Sequence, residues 1–343
     1  MASSPLPDPE PARKPSRTGL YAPFLLALVV SIVWSGMWIW LRGETIRQMD
    51  ATAAALRQAG YGVEWRERKV TGWPFRLDVT LKGVSLREPS GWGLTTPKLE
   101  GEAFAYALKH WMFATEDGFT LIRPNGGPVE VRGRVIRASL KEPERWPPAL
   151  SVEGLDLTFH TAPGAKPLSL ASAERVELHL RPGPDDQGAI LFKVENGLTA
   201  PGSTLAAIPG DSRVALTWDA ILSRVSRFRG ATLAEAGQAW ALAGGTLQVR
   251  QAQVRAGDSS LGAQSGALVV DPDGYLAGTL EVTVTKGPEA LAGLAKAGRV
   301  PPTAALGAAA VMVATPKGKL PLSFEAGRTR VGPVGVAPAP KLW

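Results

Sequence analysis

The patterned part of the chain opens on an uninterrupted apolar run, Leu20 to Leu41 (LYAPFLLALVVSIVWSGMWIWL), which carries no charge. At ~1.5 Å rise per residue such a helix reaches roughly 33 Å, enough to cross a hydrocarbon core of about 30 Å. From Glu44 to Ala59 the apolar positions Ile46, Met49, Ala53 and Leu56 recur at three- and four-residue spacing. This predicts an amphipathic helix that continues from the apolar run, with Gly43 as a place to bend and Gly60 as its cap. Beyond Gly60 the period drops to two. Leu77, Val79 and Leu81 alternate with Arg76, Asp78, Thr80 and Lys82, and the same alternation recurs at Val129/Val131, Val176/Leu178/Leu180, Leu280/Val282/Val284 and Leu320/Leu322/Phe324. Turn signals separate these runs at Pro124-Asn125-Gly126-Gly127, Pro182-Gly183-Pro184-Asp185 and Asp271-Pro272-Asp273-Gly274. The pattern predicts a mainly β (α+β) chain: one N-terminal transmembrane helix, then a large, curved, mostly antiparallel body with one face packed and the other solvated.

A few short helices interrupt the strands. Trp218, Ile221, Leu222, Val225 and Phe228 stand at helical spacing, so a helix is expected over 218–228 with Thr217 as N-cap. Two more are expected at Leu233–Leu242, closed by Gly244-Gly245, and at Pro288–Ala297. The strand sets on either side of 217–243 form two sub-domains or one continuous sheet. A weak internal echo links Leu81-Lys82-Gly83-Val84-Ser85-Leu86, Val152-Glu153-Gly154-Leu155-Asp156-Leu157 and, more loosely, Val194-Glu195-Asn196-Gly197-Leu198. In the first two the apolar alternation changes register at the glycine, which a glycine bulge in a long bent strand absorbs. Turns between shorter strands are the alternative. The organisation expected is therefore a disordered cytoplasmic tail (1–19), an anchor (20–41) and a β-rich body (42–343).

Charge and composition refine this picture. The run outlasts the apolar region of a cleaved signal peptide and ends in Trp34, Trp38 and Trp40, which suits an interfacial aromatic belt better than a cleavage site. Arg13, Lys14 and Arg17 precede it within a Pro-rich tail, and Arg42 and Arg47 follow. That modest bias places the N-terminus in the cytoplasm and the body in the periplasm, anchored to the inner membrane. The chain has no cysteine, which excludes disulfides, thiolate metal sites and a lipidated cysteine. A net charge of +7 suits anionic surfaces, but the basic residues are scattered. No nucleic-acid partner is expected of a periplasmic body.

Catalytic signatures are sparse. The histidines are His110, His160 and His179; none pair at helical metal-ligand spacing, and the HExxH, G-x-S-x-G, S-x-x-K, phosphate-loop and dinucleotide patterns are all missing. His160 and His179 each continue the polar side of a strand, so they could be spatial neighbours. Asp271 and Asp273 lack the further ligands of a calcium loop and read as a turn. No catalytic, metal or cofactor-binding residue is assigned. Gly72-Trp73-Pro74-Phe75-Arg76 stands out. Proline fixes its own φ and biases Trp73 toward extended geometry, while Gly72 permits a turn. Trp73 or Phe75 closes one end of the core, or the pair forms an apolar lip near the membrane.

With these residues in view, the chain resembles the bacterial family known as domain of unknown function twenty-one twenty-five. The likeness rests on the single span, Ala59-Gly60-Tyr61, Gly72-Trp73-Pro74-Phe75-Arg76-Leu77, Gly244-Gly245-Thr246-Leu247-Gln248-Val249, Asp273-Gly274-Tyr275-Leu276-Ala277-Gly278-Thr279-Leu280 and Leu320-Pro321-Leu322-Ser323-Phe324. The layout is also similar, more distantly, to AsmA-like envelope proteins, an analogy of architecture that implies lipid handling. The expected function is non-catalytic binding or movement of a lipid or other apolar ligand. Its candidate face is Leu77, Val79, Leu81, Val176, Leu178 and Leu180, and its partners are the bilayer, bound lipid and envelope proteins. An adaptor holding a partner complex is the alternative, and a hydrolase a remote one.

Overall fold

The computed structural model describes residues 18–315 and 319–343. The tail expected over 1–19 falls outside these, except that Thr18 and Gly19 already belong to the first helix. That helix, α1 (Thr18–Gln58), is a single element of 41 residues. Gly43 lies inside it with no break. Gly60 closes it at φ +88°, and the Tyr61 amide reaches back to the Leu56 carbonyl. A glycine takes this left-handed conformation without a Cβ penalty.

The rest is one antiparallel sheet. β1 (Gly62–Glu64) and β2 (Glu67–Thr71) form one interrupted edge along β3 (Arg76–Arg87), which pairs with β4 (Gly93–Phe104). β5 (His110–Ala114) and β6 (Phe119–Arg123) lie end to end along β4. β7 (Gly127–Arg132) and β8 (Val135–Lys141) lie end to end along β9 (Ala149–Thr161), with β6 beside β7 and β5 beside β8. Thereafter each strand pairs with the next: β10 (Leu170–Pro182), β11 (Gly188–Thr199), β12 (Arg213–Leu222), β13 (Leu247–Ala256), β14 (Ser259–Val270), β15 (Leu276–Thr285), β16 (Lys319–Glu325), β17 (Arg328–Val331) and β18 (Val334–Pro338). Three short helices, α2 (Leu233–Leu242), α3 (Gly287–Lys296) and α4 (Pro302–Ala314), lie in the connections.

Two sequence expectations are corrected. Residues 218–228 do not form a helix. Trp218 and Thr217 sit inside β12, hydrogen-bonded to strands on both sides, and only Val225–Arg227 makes a 3-10 turn. The apolar residues here satisfy both periods, and two flanking ladders outweigh local spacing. Nor does the register slip at Gly83 or Gly154. β3 and β9 are long strands of 12 and 13 residues whose ladders run through without a shift. The slip occurs at the third copy, between Val194 and Gly197 against β12.

What the echo marks instead is a crease. Gly83, Gly118, Asp156 and Asn196 all take positive φ (+59°, +71°, +52° and +45°). Register places Asp156, Glu174 and Asn196 side by side on β9, β10 and β11. Across this line the buried positions change parity, from Gly101 to Thr96 on β4, Gly154 to Leu157 on β9 and Val194 to Gly197 on β11. A strand turns over within one residue only if that residue leaves the β region, which glycine, asparagine and aspartate do most readily. Cross-strand partners hold the line: Arg134 Nε donates to Asp156 at 2.6 Å, and Asn196 Nδ2 to Glu174 at 2.7 Å.

Candidate functional site

Following the register from strand to strand yields one continuous row across the sheet: Val79, Gly101, Phe113, Ala138, Val152, Leu178, Phe192, Trp218, Ala252, Ala263, Val282 and Leu320. Every member is apolar or glycine. The row beside it, on the opposite face, runs Arg137, Glu153, Glu177, Lys193, Thr217, Gln253. Side chains alternate between faces along a strand, so these two rows define an apolar inner face and a polar outer one. Leu77, Val79, Leu81, Val176, Leu178 and Leu180 all lie on the inner face, although β3 and β10 are far apart in the sheet. The first group is under α1, with Leu77 fully buried; the second is only half-buried.

Helices cover the two ends of this face. At one, α1 lays Trp38, Leu41, Ile46 and Met49 over Leu77, Val79 and Leu81. At the other, Trp240 of α2 packs with Val249, Leu268 and Leu280, and its indole N–H donates to the Ser223 carbonyl at 2.7 Å. Two cavities each border several members of the row. The first, of about 430 Å³, lies between α1 and the sheet, walled by Leu41, Met49, Leu56, Leu81, Leu99 and Trp111. The second, of about 340 Å³, is bordered by Phe192, Leu216, Trp218, Leu261, Val282 and Phe324. Phe192 on β11 and Phe324 on β16 would stand roughly 24 Å apart on a flat sheet with about 4.8 Å between strands. Both line this one small space, so the sheet curls around it.

The Gly72–Arg76 segment does not plug a core. Trp73 and Phe75 are 60% and 59% exposed. The segment instead grips α1. The indole N–H groups of Trp34 and Trp38 donate to the carbonyls of Pro74 (2.7 Å) and Arg76 (2.8 Å), and Trp73 Nε1 donates to Ser35 Oγ at 3.3 Å. Gly72 makes the turn possible at φ +106°, where a Cβ would sit 2.7 Å from the Arg76 carbonyl oxygen. Further up, Arg68 clasps Asp50 of α1 through two hydrogen bonds, and the Arg57 and Arg68 guanidiniums lie 5.8 and 5.6 Å from the centroid of the Trp65 ring.

The outer face carries the polar chemistry. Glu153 accepts from Arg137 at 2.7 Å and also pairs with Arg175, and these charge-assisted bonds, Arg137 foremost, hold its carboxyl below the usual carboxylate range. His179 Nδ1 lies 3.0 Å from Ser151 Oγ, and His110 Nε2 lies 2.9 Å from Ser139 Oγ. Glu177 is 3.9 Å from the other nitrogen of His179, too far for the oriented hydrogen bond a nucleophilic triad uses. His160 is not a neighbour of His179. It faces Glu130, whereas His179 faces Ser151, roughly 30 Å away along β9 at about 3.3 Å per residue. Among the described residues no three His, Cys, Asp or Glu side chains cluster as metal ligands.

Comparison with known proteins identifies the chain at the level of family. A family model described as an uncharacterized protein conserved in bacteria, DUF2125, matches residues 38–340. The chain belongs to this family. No curated protein and no solved structure matches it. In this DUF2125 protein the matched region begins at Trp38, which is also where α1 changes from exposed to buried: Tyr21 to Val33 stand clear of the body, while Trp38 and Leu41 are in its core. α1 is long and apolar enough to cross a membrane.

Proposed function

We propose that this DUF2125 protein is a non-catalytic envelope protein, anchored in the inner membrane by α1, whose curled sheet shelters the acyl chain of a lipid along its inner face. The observation that carries the reading is the unbroken apolar row from Val79 to Leu320, half-covered at its middle and joined to cavities of about 430 and 340 Å³. Clefts of this size and lining suit small apolar ligands. The basic Arg13, Lys14 and Arg17 ahead of the span favour a periplasmic body. The AsmA-like layout lends an analogy of architecture and nothing more.

The test uses the full chain in vesicles that contain a phospholipid with a photoactivatable group on its acyl chain. After illumination, crosslinks are mapped by peptide mass spectrometry. Crosslinks on β10–β12 peptides bearing Leu178, Phe192 or Trp218 are expected, and Trp218→Asp should abolish them. Crosslinks confined to the exposed part of α1 would overturn the ligand reading. Stoichiometric capture of a protein partner by in-cell crosslinking, with no lipid on these strands, would favour an adaptor instead.

A further inference from the structure

Four exposed aromatics of the body, Trp73, Phe75, Phe104 and Tyr106, gather at one level of α1. Trp73 and Phe75 come from the turn between β2 and β3, Phe104 ends β4, and Tyr106 lies in the turn that leads from it to β5. The two turns are tied together, since the Ala105 amide donates to the Phe75 carbonyl at 2.8 Å, and the Phe104 and Tyr106 rings stack with centroids 5.2 Å apart. The three indole hydrogen bonds to Pro74, Arg76 and Ser35, with the Trp34–Phe75 ring contact at 6.0 Å, fix these turns beside Trp34–Trp38. Trp40, on the next turn of α1, is exposed as well.

Helix length gives this level a meaning. Trp38 and Leu41 are buried in the body and cannot face lipid. On the exposed side of α1 the apolar run continues from Tyr21 to Met37, with Trp34 and Ser35 already held by the turns; it measures about 26 Å at ~1.5 Å per residue, close to a hydrocarbon core of roughly 30 Å. The collar of aromatic turns therefore sits where hydrocarbon gives way to headgroups, the depth at which tryptophan and tyrosine concentrate. An aromatic ring with one polar edge is favoured there, and exposure to bulk water is not.

We propose that the β2–β3 and β4–β5 turns are a membrane-seating surface that inserts Trp73, Phe75, Phe104 and Tyr106 into the headgroup layer of the same bilayer that α1 crosses. The inference rests on the anchoring half of the proposed function and not on its lipid ligand. Seating fixes the height of the body, and it brings the foot of the α1 cavity, at Leu41 and Leu108, to the edge of the hydrocarbon.

The absence of native cysteine makes the test direct. Single-cysteine variants of the full chain, Phe24→Cys, Tyr106→Cys and Ser90→Cys, are labelled with an environment-sensitive fluorophore. They are reconstituted into phosphatidylcholine–phosphatidylglycerol vesicles carrying a doxyl quencher near the headgroup or near the chain end. Ser90 lies at the far end of the same β3–β4 hairpin. The label at 106 should shift to the blue and lose intensity with the shallow quencher, the label at 24 should be quenched by the deep one, and the label at 90 by neither. A label at 106 that matches 90 while 24 is quenched overturns the seating surface and leaves the anchor standing. An unquenched label at 24 overturns the anchor and the seating with it. Trp73→Cys repeats the reading from the second turn should Tyr106→Cys fail to fold.

Discussion

Gly72 shows how a single residue ties helix to sheet. Its φ of +106° and the 2.7 Å approach of an added Cβ to the Arg76 carbonyl leave no room for a side chain. Gly72→Ala is expected to cost about 1–3 kcal/mol, read as a lower midpoint in thermal or denaturant unfolding. Leu77→Ala, at a position with no exposed surface, is expected to cost about 2–5 kcal/mol by the same measure. Glu153 sets an acid limit. Its folded-state pKa lies below the unfolded value near 4.3, so its pairing with Arg137 and Arg175 stabilises the fold above that value and is lost as pH falls through the lower, folded one. Glu153→Gln should therefore differ most from the parent above about pH 5 and converge with it as the pH falls through the lowered, folded-state pKa in urea melts at fixed salt. The Gly72–Arg76 segment was legible as unusual from its residue types. Its role was not, because a tryptophan that packs on a distant helix and one that fills a core leave the same letter in the chain.

Among the elements, α2 is legible in the sequence, whereas the strand over 213–222 is masked for a physical reason. Residues of β12 carry a helical spacing by coincidence, and pairing with β11 and β13 decides the matter. The start of α2 also carries a sequence signature of its own: Thr232 and Glu235 cap it together, with Thr232 Oγ1 accepting from the Glu235 amide at 3.1 Å and Glu235 Oε2 accepting from the Ala231 amide at 2.9 Å. Thr232→Ala should lower stability by about 1 kcal/mol, and Thr232→Ser should restore most of it in the same unfolding assay. α4 carries no amphipathic signature: it packs Ala305 and Ala308 against α3 and β18 but leaves Leu306 and Val313 exposed, so its Ala-rich run has no polar face to mark it. The echo around Gly83, Gly154 and Asn196 was visible as well. Its consequence, a crease rather than a bulge, depends on neighbouring strands turning over together, which one strand's sequence does not express.

At the scale of the molecule, period-two alternation foretold an antiparallel sheet with two unlike faces. From β9 onward the order of strands follows from each strand pairing with its successor, the simplest arrangement of hairpins, whereas the inner row crosses from β5 directly to β8 by a pairing that alternation does not express. What alternation could not say is where membrane helix ends and body begins. The apolar run reaches Leu41, yet Trp38 and Leu41 are buried with Val70, Leu77, Val79 and Ala105, and Trp34 and Trp38 hold the Pro74 and Arg76 carbonyls. The body therefore needs residues that hydropathy assigns to the anchor. A soluble fragment beginning at Arg42 strips that layer and leaves two carbonyls without their indole donors, whereas one beginning at Trp34 keeps both. Each lost indole bond is worth about 1 kcal/mol and the lost Trp38 packing about 3–5 kcal/mol. For a domain near 300 residues, where 1 kcal/mol shifts the midpoint by roughly 2 °C or slightly less, the Arg42 fragment should melt at least about 5 °C below the Trp34 fragment. Equal melting of the two would mean that α1 contributes nothing to the body, and that the clamp formed by Trp34, Trp38 and the Gly72–Arg76 turn does not hold helix to sheet.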